Sequence, residues 1–92
     1  MAVVLLFSIL GFQNPDVLFR IKPSHSDKQL REIEDSLKSK YDIIAKLDVL
    51  KRDSLGNIKH LKYSKTGGGA CWSDNFGELH IKNGGCWISD KI

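Results

Sequence analysis

The chain has 92 residues, 14 of them basic and 11 acidic, for a formal charge of +3. That length allows one small domain at most. The basic side chains are spread along the chain and interleaved with acidic ones, which argues against a nucleic-acid partner.

Residues 1–15, MAVVLLFSILGFQNP, carry no charge. The apolar run from Ala2 to Leu10 is shorter than the roughly 20 residues a bilayer span needs, so no stable transmembrane span is expected. It has the length of the apolar region of a secretory leader. A buried first strand and the tail of a longer membrane helix are the alternatives, because a short apolar run fits each. With the leader removed, residues 16–92 form a single small domain in a secreted or periplasmic protein. A core of that size is marginal and gains from a covalent staple.

Val17–Lys22 reads as a short strand closed by Pro23, which cannot donate to a ladder. Ser26 and Gln29 have the spacing of a capping box. The helix they start runs to about Lys40, with Leu30, Ile33, Leu37 and Tyr41 on one apolar stripe. Lys28/Glu32, Arg31/Asp35 and Glu34/Lys38 are spaced for ion pairs on its wet face. Tyr41–Lys51 alternates as a strand, with Ile43, Ala45, Leu47 and Val49 on the buried side. Asp53–Asn57 is a turn around Gly56. Ile58–Lys65 returns as the partner strand, with a bulge near the turn because Ile58 is out of phase with Leu61 and Tyr63. Thr66–Gly69 links to short strands at 70–74, 78–82 and 86–89. The order is strand, helix, then a run of antiparallel strands: an α+β fold, β-α-β-β-β-β, with one helix packed on a β-meander.

The FRIKPSHSDKQLREIEDSLKSKYDI stretch followed by LKRDSLGNIKHLKYS resembles a small extracytoplasmic α+β domain of Bacteroidetes-type bacteria. That domain often follows the membrane part of BlaR/MecR-like sensor metallopeptidases and occurs in short secreted proteins. The match covers roughly two-thirds of the chain, from Leu18 to about Ile81. It rests on the Ser26-Asp27 helix start, on the turn from Leu50 to Ile58, and on the glycine- and serine-rich Lys65–Ser73. The Cys-Trp pairs and the final NGGCWISDKI lie outside the pattern. The resemblance implies an exported domain and no catalysis, because the H-E-x-x-H zinc motif of the peptidases is missing and His25, His60 and His80 are isolated.

The remaining chemistry sits in GGGACWSDNFGELHIKNGGCWISD, which holds both cysteines, Cys71 and Cys86, and both tryptophans, Trp72 and Trp87. In an exported domain an even cysteine count is paired. A regular meander of the last three strands would instead hold the two cysteines about 9–10 Å apart, beyond the roughly 7 Å that a disulfide allows. The alternatives are a metal site of Cys71, Cys86, His60 and His80, which lacks close ligand pairs; thiol catalysis, which lacks a C-x-x-C motif or a paired base; and two small buried hydrophobes. Trp72 and Trp87 form either a candidate binding surface for sugar or peptide or part of the core, the core being expected for at least one. Gly67-Gly68-Gly69 lacks the ending of a phosphate loop, and Asp74, Glu78 and Asp90 lack the spacing of a calcium loop.

These readings describe a non-catalytic accessory domain without a cofactor that binds another protein or peptide through a sheet face or an edge strand. The alternative is a self-associating homo-oligomer that uses the apolar N-terminus. A small enzyme or metal-binding protein is the least favoured reading.

Overall fold

The computed structural model describes residues 17–91. The apolar segment 1–15, with the leader, strand and membrane readings placed on it, lies outside the described residues. The elements are β1 (Val17–Ile21), α1 (Asp27–Tyr41), β2 (Ala45–Arg52), β3 (Ile58–Lys65), β4 (Ala70–Ser73), β5 (Phe76–Lys82) and β6 (Gly85–Asp90). The fold is α+β, with the expected strand–helix–strands order.

The capping box is present. The Gln29 amide donates to Ser26 Oγ at 3.1 Å, and the Ser26 amide donates to Gln29 Oε1 at 2.8 Å. Two orphan N–H groups of the first turn are thereby satisfied. The far end differs from expectation. Tyr41 closes the helix rather than opening a strand, and Asp42 follows in the left-handed region at φ 57°. The Ile43 amide then returns to the Leu37 carbonyl at 3.0 Å. Aspartate is among the few non-glycine residues that adopt this conformation readily. Leu30, Ile33 and Leu37 are buried as expected, whereas Tyr41 stays 41% exposed and meets Phe19 edge-on, ring centroids 6.4 Å apart.

The strands do not make one meander. They form two antiparallel three-stranded sheets, ordered β1-β5-β6 and β2-β3-β4. The departure occurs at Asp74-Asn75. A two-residue link between strands reads as a hairpin, but here the chain leaves one sheet and enters the other. Buried Ser73 fixes that corner: its hydroxyl accepts the Asn75 amide at 3.1 Å and donates to the Asp90 carboxylate. Asn75 also exchanges bonds with Lys91, accepting its amide at 2.7 Å and donating from Nδ2 to its carbonyl at 3.1 Å. β5 bulges next to the corner, between Phe76 and Glu78. Gly77 lies so close to β6 that a Cβ there would sit 2.7 Å from the Asp90 carbonyl oxygen.

The bulge expected near the β2–β3 turn is present, as register shifts between Val49 and Arg52. It brings Ile58 into the core beside Leu61 and Tyr63. The Asp53 carboxylate closes the turn by accepting the Leu55 and Asn57 amides, each at 2.9 Å. These bonds favour the charged form. The Asn57 bond leads in holding the Asp53 pKa below its ordinary value. The β3–β4 turn passes through Gly67, Gly68 and Gly69 at φ 92°, 106° and 106°, which requires glycine.

The core lies between the apolar stripe of α1 and the inner faces of both sheets. Leu47, Leu61 and Tyr63 come from one sheet; Ile21, Leu79 and Ile81 come from the other. The helix also guards a sheet edge. The Leu47 amide donates to Glu34 Oε2 at 2.7 Å, and Arg31 Nη2 donates to the Leu47 carbonyl at 2.5 Å. Arg31 and Glu34 pair with each other at 3.5 Å. These contacts replace the expected i,i+4 pairs, none of which closes among the described residues. Backbone groups on an unpaired edge otherwise recruit foreign strands, and here Arg31 and Glu34 occupy those of Leu47.

Candidate functional site

The cysteines resolve the sheet arrangement. Cys71 on β4 pairs in register with buried Tyr63, and Cys86 on β6 with buried Ile81. Both therefore point inward, and they form a disulfide with their Cα atoms 6.3 Å apart. The bridge forms because β5 does not stand between β4 and β6; its neighbours are β1 and β6. The approaches Cys71–Cys86, Ser73–Asp90 and Asn75–Lys91 advance in the same direction along both strands. β4 and β6 thus run side by side and parallel, joined by a covalent bond, side-chain bonds and one backbone bond just past their ends rather than by a ladder. The bond consumes both thiols, so the four-residue metal site and thiol catalysis lose the thiolates they require. Among the described residues no other cluster of metal-ligating side chains stands in for them.

Successive side chains on a strand alternate faces. Trp72 and Trp87, each one residue past a cysteine, therefore point outward on neighbouring strands. Trp72 is 61% exposed and Trp87 is 46% exposed. This corrects the core expectation: the inner positions beside them are already filled by the disulfide and by Ser73 and Ile88. Each indole leans on a histidine of its own sheet. The Trp72 ring lies 6.1 Å from that of His60, and the Trp87 ring 4.8 Å from that of His80. His80 Nε2 in turn lies 3.2 Å from Glu78 Oε2, at ion-pair distance but without hydrogen-bond alignment.

Register extends the pair into a row across both sheets. Lys62 on β3 stands opposite Trp72; His80 on β5 stands opposite Trp87, and Arg20 on β1 stands opposite His80. The outer surface thus carries two indoles at its centre, flanked by Lys62 on one side and by His80 and Arg20 on the other. Such a surface can stack on or pack against a flat or apolar group. Each indole also offers an N–H donor. The histidines are the part sequence reasoning missed, because their nearest aromatic partners lie across a strand rather than along the chain.

A groove of about 530 Å³ lies elsewhere, between α1 and the edge of β2. Two of its charged groups are engaged with each other, Arg52 Nη2 meeting Asp27 Oδ1 at 2.7 Å, and Arg52 Nη1 donates to the Gly56 carbonyl at 2.7 Å. Among the described residues, no helix is long and apolar enough to cross a membrane. No protein-family model matches the chain, and neither does any curated protein or solved structure.

Proposed function

We propose that the chain is an exported, non-catalytic interaction domain that binds another protein or peptide through the face carrying Trp72 and Trp87. The observation that carries this is the exposure of both indoles on strands locked together by the Cys71–Cys86 bond. Exposed tryptophans on a rigid support bury much area at little entropic cost, which is why they recur as binding anchors. The face is favoured over the β2 edge, which α1 blocks at Leu47. A secreted or periplasmic location is part of the proposal. The disulfide supports it, since such bonds persist in oxidising compartments. Kinship with the sensor-associated extracytoplasmic domain is likewise part of the proposal, and it rests on the motifs between Leu18 and Ile81.

The test is selection of a random peptide library on the oxidised protein, with a Trp72→Ala/Trp87→Ala variant as counter-selection. The reading expects peptides that bind the native protein and are lost from the variant. Absence of any indole-dependent peptide would contradict it.

A further inference from the structure

The outer face of the two sheets carries most of the net positive charge of the described residues. By register and exposure, Arg20, Lys46, Lys51, Lys62 and Lys82 stand on it. The carboxylates there are Asp48 and Glu78. Among the described residues the face therefore carries an excess of three positive charges. Its acids are also occupied: Asp48 lies 3.9 Å from Lys46, and Glu78 lies against His80. Arg20 and Lys62, which bracket the tryptophans, make no ion pair among the described residues.

We infer that the partner is an acidic, extended peptide segment of another protein that lies across the strands, with an apolar or aromatic side chain on the indoles and carboxylates reaching Arg20 and Lys62. The inference rests on the reading of the tryptophan face given above. From the strand of Arg20 to that of Lys62 the row spans about 20 Å, counting three ladder spacings of about 4.8 Å and the 6.3 Å across the bridge. An extended segment of about six residues covers that distance. Arginine and tryptophan are the residues that most often carry the energy of protein–protein contacts, which favours a protein segment over other polyanions. Flanking cations would speed encounter and reject basic segments.

Two measurements test this. In the library selection, the indole-dependent peptides should be enriched in Asp and Glu. Neutral or basic peptides with the same dependence would overturn the inference and leave the proposed function standing; no indole-dependent peptide would remove both. The second is a titration of the oxidised protein with a random Glu/Tyr copolymer, read by intrinsic tryptophan fluorescence. The two indoles at the site are the only ones in the chain, so the signal originates there. Binding should weaken steeply with added salt and fall about tenfold or more in Arg20→Glu/Lys62→Glu, with an unchanged circular dichroism spectrum. A Lys/Tyr copolymer of the same length is the control and should leave the emission unchanged. Copolymer binding that ignores salt and the charge reversal would overturn the inference. So would equal or tighter binding of polygalacturonate or oligo-dT, which would assign the face to another class of polyanion.

Discussion

Tyr63 is buried in the core, and its hydroxyl makes no hydrogen bond among the described residues. Burial pushes its pKa up by disfavouring the phenolate. An unsatisfied buried hydroxyl is a cost, so Tyr63→Phe should leave the urea midpoint unchanged or raise it; a loss of about 1 kcal/mol or more would mean that the hydroxyl has a partner. Asp53 acts in the opposite direction. Its lowered pKa means that the native state binds fewer protons than the unfolded chain in mild acid. Its contribution is thus complete above the ordinary carboxylate pKa and is lost as pH falls through the lowered value. Asp53→Asn keeps an acceptor for the Leu55 and Asn57 amides but cannot titrate. The variant should therefore show a shallower decline of stability in acid than the native protein, measured by urea unfolding across that range. Equal slopes would show that other carboxylates govern acid unfolding.

The elements differ in how much of them the sequence reveals. The helix start was legible because a capping box is a local signal, and the β2–β3 bulge was legible from the phase of Ile58. The crossing at Asp74-Asn75 was not. It depends on Ser73 meeting Asp90, and on Gly77 yielding space to the Asp90 backbone, contacts between residues far apart in the chain. Gly77→Ala tests this corner directly. Its new methyl would meet the backbone of Asp90 and Lys91, which has no rotamer with which to retreat, so a loss of about 1–3 kcal/mol is expected. An unchanged midpoint would place β6 farther from β5 at that point. The edge clamp was hidden for a related reason. Arg31 and Glu34 read as members of a solvated face, and only the docking of α1 beside β2 turns them toward Leu47. The outward row of the candidate site was not recoverable by counting from the turns. Both links are one residue tighter than their composition suggests: counting outward from Thr66–Gly69 would set Tyr63 opposite Trp72, and from residues 83–85 would set Ile81 opposite Trp87, whereas the observed register sets Lys62 and His80 there.

At the largest scale, two three-stranded sheets share one helix and one core among the described residues, and the seam between β4 and β6 has no ladder to hold it. The disulfide closes that seam. Removing a bridge between residues 15 apart in sequence should cost about 3 kcal/mol in the chain-entropy model. A Cys71→Ala/Cys86→Ala variant should therefore unfold at markedly lower urea, and a cost near zero would mean that the core and the Ser73–Asp90 contact close the seam unaided. The same bond explains why the tryptophans face water: with both cysteines committed inward, the alternation of each strand sends its indole out. The most direct measurement is acrylamide quenching of the native, oxidised protein, read on its tryptophan emission. Red-shifted emission with both indoles fully quenchable is the expected result. A blue-shifted, quencher-protected component would place one indole in the core and contradict the outward-facing pair on which the proposed function stands.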